Sequence, residues 1–352
     1  PSNGQVLGML SRPYFNADTL GNFAPAADNP KTTVSAEYWA KLSADGTAPL
    51  LNRPLQGLYP PGSSFKTLTL IAGLDSGQYS LQTAFNQAEA TSYTVNGFAI
   101  NSNNLDAYTH GPVPPSFPLN VQHAYAYSDN VVFARMGTQL GGDTLSGYAQ
   151  RYGLSTPNNV LQPPIDTAGA ATSYLYKTGT LDPVSLATTA YGQGQLFLTP
   201  LTMLMIDSSV AADGMLFAPH LVRKVVGHAV DQGTVPDIAP TLLGTTMSAT
   251  TASSVRTAMR DVVQYGSVGA SGGVIAAVGN SSAHLGGKTG TAQLGSGQPH
   301  AWFISLAPDD AFGKGDGPAR LAIVVMKEHA GEGACQAPIA QQIAEFALPL
   351  VK

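Results

Sequence analysis

The pattern of apolar and polar positions divides this 352-residue chain into a strand, a long helical middle, a strand meander and a closing helix. Gln5-Val6-Leu7-Gly8-Met9-Leu10 reads as an opening strand, and residues 12–58 as irregular structure with a short helical piece near Ala36–Leu42. A Pro-Pro-Gly turn at Pro60-Pro61-Gly62 then gives way to a helical pattern, with Phe65, Leu68 and Ala72 on one face, that stops at Gly77. Residues 78–119 are polar and turn-rich. Asn120 is placed to cap a helix through Tyr127. Ser128-Asp129-Asn130 interrupts that helix, and Val131–Leu140 is the next, closed by Gly141-Gly142. Three more helices are predicted: Pro183–Tyr191, an apolar stretch from Thr199-Pro200 to Gly214, and a stripe of Val255, Met259, Val262 and Val263 between Thr251 and Gln264.

Leu216–Val226 reads as paired strands or extended arms, and 266–287 as a Gly/Ser/Ala-rich span. The character then changes: Lys288–Leu294, Ala301–Leu306 and Leu321–Lys327 are strand candidates joined by turn-rich connections, the second running from Asp309 to Pro318. Gln336–Leu348 closes the chain as an amphipathic helix. To be buried, the opening strand has to join the C-terminal meander, which makes a mixed α/β lobe with a helical insertion.

Composition narrows the classes. Charged residues are 11% of the chain, far below the usual ~25%, with neutral polar residues in their place. A net charge of −5 gives no support to nucleic-acid binding. The single cysteine, Cys335, excludes an internal disulfide and reads as a small packed residue. No apolar run is long enough for a membrane span. The abrupt start, with a strand pattern almost at once, suggests that an N-terminal region has been removed. Seven scattered histidines, with no His-x-His or His-Glu-x-x-His, call for no metal, and no cofactor is implied.

Three short patterns carry the chemistry. Ser63 and Lys66, three apart at a helix start, lie on one side of the helix, where the dipole depresses a lysine's proton affinity. Ser63-x-x-Lys66 occurs once; Ser128-Asp129-Asn130 and Lys288-Thr289-Gly290 follow it. Each later pattern has a decoy. Ser102-Asn103-Asn104 sits in a polar loop and Lys177-Thr178-Gly179 between a loop and Pro183, whereas Ser128 lies at a break between apolar helices and Lys288 opens a strand. In this order the patterns form a signature of serine acyl-enzymes. Ser63 is the expected nucleophile and Lys66, held neutral, its general base. Ser128 would relay the proton to the leaving amine, and Lys288 would supply the positive field that keeps the relay poised. Asn130 would bind the substrate amide. Thr289 and Thr291, alternate residues of a strand, would take a carboxylate, and Gly290 would let substrate lie close to the backbone. The N–H groups of Ser63 and Thr291 would form the oxyanion hole.

These patterns, with Asn52-Arg53-Pro54-Leu55, Tyr59-Pro60-Pro61-Gly62, Gly192-Gln193-Gly194, Thr199-Pro200-Leu201, Lys288–Gln293, Ala301-Trp302-Phe303-Ile304 and Ala307-Pro308, resemble the transpeptidase domain of class B penicillin-binding proteins over nearly the whole chain. The resemblance implies an α+β fold: an antiparallel sheet flanked by helices (about 1–58 and 284–352) and an all-helical lobe (about 59–283), forming one domain with the site between them. It implies acylation by β-lactams, peptidoglycan stem peptides ending in D-Ala-D-Ala as substrate, a membrane glycan polymerase as partner, and work on the extracytoplasmic face of a membrane. Members of this class carry a membrane anchor and a non-catalytic domain ahead of this one.

Rival readings are weaker. A class A serine β-lactamase needs a deacylating glutamate, and none lies between Asn130 and Lys288; Asp166 and Asp182 are the acids that would have to substitute. A D,D-carboxypeptidase shares every motif. Gly269-Ala270-Ser271-Gly272-Gly273, followed by Asp309 and His329, matches an α/β-hydrolase elbow, but a helix rather than a strand precedes it. A non-catalytic penicillin-binding sensor or scaffold is the alternative of another class, and intact motifs argue against it.

Overall fold

The structure is a computed structural model that describes residues 1–29, 31–102, 105, 113–162, 169–224, 239–308 and 319–351. Helix α1 (Lys66–Asp75) is followed by a hairpin of β1 (Ser92–Val95) and β2 (Phe98–Asn101). Helices α2 (Val121–Ala126), α3 (Asn130–Leu140), α4 (Pro183–Ala190), α5 (Pro200–Ala211) and α6 (Ala249–Gln264), with a further helix over Gly142–Gln150, make up most of the middle. Strands β3 (Gly286–Ala292), β4 (His300–Ala307) and β5 (Leu321–Lys327) come next, and α7 (Ala337–Ala347) ends the chain. The starts of the middle helices are set locally. Asn120, Asp129, Asp182, Thr199 and Ser248 each accept a hydrogen bond from a first-turn N–H of the helix they precede, a contact worth about 1 kcal/mol each.

Helix α1 is buried on every side: Phe65, just ahead of it, and Leu68, Leu70, Ile71 and Ala72 have no exposed surface. An all-round apolar helix belongs in a core, and α1 packs against α3 and α6. The sheet is antiparallel in the order β3-β4-β5, with Lys288 opposite Ile304, Gly290 opposite Trp302 and Ala301 opposite Lys327. This leaves β3 on an edge. β4 is buried along its whole length, α6 covers β3, α5 packs on β4 and β5, and α7 on the same two strands. The mixed fold of an antiparallel sheet with helices packed against it, expected from the pattern, is therefore present.

Three expectations need correction. Residues 5–10 do not join the meander. Gln5 makes one parallel bridge to His220, and Leu7 and Leu10 stay exposed. The run Val6-Leu7-Gly8-Met9-Leu10 lacks the strict alternation that gives a strand one face to bury. Cys335 is exposed rather than packed; it lies in a 3₁₀ turn, Gly333–Gln336, whose other three residues are the buried ones. The polar span 78–119 holds the β1–β2 hairpin, turned at Asn96-Gly97 with positive φ at both residues, the two-residue turn that Asn-Gly favours. Of the span read as paired strands or extended arms, the start is a strand, Met215–Phe217, paired with Leu242–Thr245; Val225 and Val226 lie outside the described residues, as does the 309–318 connection.

Asp207, on α5, is fully buried. Its carboxyl faces the Ser305 and Ile323 amides without closing a hydrogen bond of normal geometry, and burial pushes it well above the ordinary carboxylate range despite those amides. An acid whose folded pKa is raised keeps its proton while the unfolded chain loses it, so its contribution to stability falls as pH rises above about 4. The expected result is that Asp207→Asn flattens this part of the pH–stability curve and raises Tm by a few degrees at pH 8. Thermal unfolding between pH 5 and 9 checks it; an unchanged slope would contradict a neutral buried Asp207.

Candidate active site

Ser63 lies in a 3₁₀ turn, Gly62–Phe65, that feeds directly into α1, and Lys66 is the first residue of that helix. Backbone packing fixes the turn. Gly62 adopts φ +55°, and a Cβ there would lie 2.7 Å from the Thr291 carbonyl oxygen of β3. Behind it, a Cβ on Gly192 would lie 1.8 Å from the Gly62 carbonyl oxygen, which gives the Gly192-Gln193-Gly194 loop after α4 a physical role. Gly290 needs its missing Cβ for a reason other than the one expected. The space is filled by the Pro61 carbonyl oxygen at 2.5 Å and Ser64 Cβ at 3.1 Å, so the glycine admits the chain leading to Ser63 rather than leaving room for substrate.

Three segments meet in one hydrogen-bonded cluster. Lys66 Nζ lies 2.8 Å from Ser63 Oγ, 2.8 Å from the Ser128 carbonyl oxygen, 3.2 Å from Ser128 Oγ and 2.7 Å from Asn130 Oδ1. Lys288 Nζ lies 2.9 Å from the same Ser128 Oγ and 3.2 Å from the Thr289 carbonyl oxygen. The Ser128 hydroxyl is thus held between two amines. Ser128 sits at the break between α2 and α3 with φ +61°, a left-handed conformation costing a non-glycine residue roughly 1–2 kcal/mol, while Asp129 behind it caps α3.

Both lysines are fully buried. Burial lowers the Lys66 pKa to about 7, against the pull of Asp129, which raises it. Burial and then the charge of Lys66 push Lys288 well below the usual lysine range. Lys288, expected to supply the positive field at the relay, thus stands where burial and Lys66 both disfavour its charged form. When Lys66 is neutral the lesser cause, its repulsion, is absent, and burial alone holds Lys288 low. Four acceptors surround Lys66, one more than an ammonium can satisfy.

Thr289 Oγ1 is 2.8 Å from Ser267 Oγ, and Thr291 Oγ1 accepts from the Gly333 N–H at 3.2 Å. Ser63, Lys66, Ser128, Asn130 and Lys288 are brought together; Thr289 joins through Lys288 and Ser267, and Gly290 and Thr291 flank the Ser63 turn. Lys177 is elsewhere and exposed, stacked over Tyr174 and Phe197. Asp182 only caps α4; Asp166, Asp309, Asn103 and Asn104 lie outside the described residues. Gly269–Ser271 is a 3₁₀ turn following α6 and the loop after it, with no strand ahead of it. Trp302 is core, its Nε1 donating to the Pro60 carbonyl at 3.1 Å.

Two residues that support the site receive no role from the motifs. Asp129 is fully buried; its carboxylate accepts from the Val132 N–H at 2.7 Å and from the Ser102 hydroxyl. Ser102, rejected as a motif serine, follows the β1–β2 hairpin directly, and the Asn-Gly turn was the signal that would have placed it. Burial raises the Asp129 pKa, opposed by the Ser102 and Val132 hydrogen bonds and by Lys66.

This three-segment cluster sets a serine hydroxyl beside a lysine amine, with a second serine hydroxyl between two amines, the parts that an activated serine nucleophile needs. The chain belongs to the family described as the penicillin binding protein transpeptidase domain, whose model matches residues 1–345. It is 30% identical to the peptidoglycan D,D-transpeptidase PbpA of Mycolicibacterium smegmatis, over 99% of this chain and 65% of that protein. It is 26% identical to the stage V sporulation protein D of Bacillus subtilis, over 99% of this chain and 48% of that protein. The chain therefore spans about two thirds or less of these relatives. It also superposes with a TM-score of 0.78 on penicillin-binding protein A from M. tuberculosis, solved as an imipenem acyl-enzyme, at 26% identity, covering 99% of this chain and 71% of that one.

Asp129→Asn keeps the α3 cap and a partner for Ser102 while removing the charge. NMR titration of the lysine side chains is expected to find Lys66 with a pKa of about 7 and to find it lower in the variant. An unchanged Lys66 titration would show that the Asp129 charge does not reach the amine.

Proposed function

We propose that this chain is a D,D-transpeptidase that cross-links peptidoglycan stem peptides through an acyl-enzyme on Ser63 and is acylated by β-lactams at the same residue. The observation that carries this reading is the convergence of Ser63, Lys66, Ser128, Asn130 and Lys288 into one buried hydrogen-bonded cluster. Neutral Lys66 takes the Ser63 proton as Oγ attacks the carbonyl of the penultimate D-Ala. The tetrahedral oxyanion is held by the N–H groups of Ser63 and Thr291, whose segments are packed together through Gly62. Ser128, hydrogen-bonded to both lysines, passes a proton from Lys66 to the departing D-Ala nitrogen as the C–N bond breaks. Lys288 shares the positive charge that develops.

Asn130 Oδ1 is turned to Lys66, which leaves its amide NH₂ to donate to the substrate amide. The Thr289 and Thr291 hydroxyls are oriented by Ser267 and Gly333 and take the terminal carboxylate. Attack of an acceptor amine on the ester then reverses these proton movements. The site lies where the edge strand β3 meets the start of α1 and the break between α2 and α3. Among the described residues no helix is long and apolar enough to cross a membrane. The substrate class places the work on the extracytoplasmic face, alongside a glycan polymerase.

A time course with fluorescent penicillin tests this reading. Wild type is expected to form a stable covalent adduct, Ser63→Ala none, and Lys66→Ala one formed at least 10²-fold more slowly. Exchange of a D-amino acid onto a pentapeptide is expected alongside. No Ser63-dependent adduct would sink the acyl-enzyme reading, and rapid loss of label by hydrolysis would favour a β-lactamase.

A further inference from the structure

Outside the site, the chain carries a second polar cluster that joins three distant segments. Glu328, which follows β5, accepts from Arg53 Nε at 2.9 Å through one carboxylate oxygen and from the Tyr59 hydroxyl at 2.7 Å through the other. The rest of the Arg53 guanidinium donates to the carbonyls of Ala48 and Thr47 at 3.1 and 2.8 Å. The Tyr59 ring is buried and meets His300 and Trp302 of β4 edge-on, with centroids 5.4 and 6.2 Å apart. Tyr59 also exchanges backbone hydrogen bonds with Leu198, both 2.9 Å. Burial works to raise the Glu328 pKa, but the Tyr59 and Arg53 hydrogen bonds and the Arg53 charge outweigh it and hold the carboxyl low.

We infer that Glu328 is a positioning residue for Ser63, fixing through Tyr59 and Arg53 where the nucleophile turn stands against the edge strand β3. The inference rests on the acyl-enzyme reading above. Its physical basis is the stiffness of the three residues between Tyr59 and Ser63, of which Gly62 stands at φ +55° packed against the Thr291 carbonyl. Pro60 and Pro61 have ring-locked φ angles. The Pro60 carbonyl is held by Trp302 Nε1, and the Pro61 carbonyl lies in the gap left by the missing Cβ of Gly290. Few soft torsions remain to absorb a displacement at Tyr59. A shift there moves Ser63 relative to Thr291, and hence the two N–H groups of the oxyanion hole relative to each other. Misplacement by about 1 Å costs an enzyme on the order of 10²-fold in rate. Among the described residues Glu328 bonds Arg53 and Tyr59 and not the cluster itself, so its removal acts on geometry and leaves the chemistry of the cluster intact.

Stopped-flow acylation by a fluorescent penicillin, resolved into a dissociation constant for the first complex and a first-order acylation rate constant, tests this. Glu328→Ala is expected to lower the acylation rate constant between about 10- and 100-fold while the dissociation constant changes less than about twofold. Glu328→Gln, which still offers Tyr59 an acceptor, is expected to recover most of that loss. Tyr59→Phe removes one hydroxyl without opening the core and is expected to slow acylation several-fold, so it carries the test if Glu328→Ala does not fold. Acylation at the wild-type rate in Glu328→Ala or in Tyr59→Phe, even with a lowered Tm, would overturn the inference, as would a loss confined to the dissociation constant. A wild type that takes no label would remove the acyl-enzyme reading and this inference together.

Discussion

The hydroxyl of Ser128, held between two buried lysines, is the constraint on which the site depends. Taking one ammonium out of water is costly, and taking two out side by side is worse. The cluster persists because carbonyl, amide and hydroxyl oxygens surround both amines, and because the lysines give up proton affinity instead of both holding full charge. That concession is what a general base needs at neutral pH. A lysine in water binds its proton too tightly to accept another from a serine.

The three parts of the cluster arrive on elements whose positions are independently fixed. Lys66 starts an all-buried helix, Ser128 stands in a left-handed kink between two helices, and Lys288 lies on the edge strand of a sheet whose central strand is wholly buried. Glycines let these backbones close on one another. Gly62 meets Thr291, Gly192 meets Gly62, and Gly290 receives Pro61. A substitution at any of these would separate the segments without touching a reactive group. The Glu328 network extends the same logic outward, since it anchors the stiff Pro-Pro lead-in from the far side of the sheet.

Much of this was readable from residue order. The start of α2 followed from its capping Asn120, the meander from three apolar runs, and the residues that converge at the cluster from motifs whose decoys stood in the wrong local context. What escaped was tertiary. The opening apolar run lacked the alternation of a half-buried strand, and where it would lie instead, with Gln5 bridged to His220, depends on contacts far along the chain. The Asn96-Gly97 turn announced a hairpin that polar surroundings hid, and with it the delivery of Ser102 onto Asp129. The partnership of Arg53 and Tyr59 with Glu328 spans about 270 residues, a separation at which no sequence periodicity operates. The purpose of Gly290 was also invisible, because only the folded chain shows what fills the space beside it.

The most direct test of the central claim is the pH dependence of the first-order acylation rate constant with penicillin. If neutral Lys66 is the base, the rate rises about tenfold per pH unit below its pKa, bends near pH 7 and is level above it. A rate that stays flat from pH 5.5 to 9, or that climbs steadily toward the pKa of an ordinary lysine, would contradict the account.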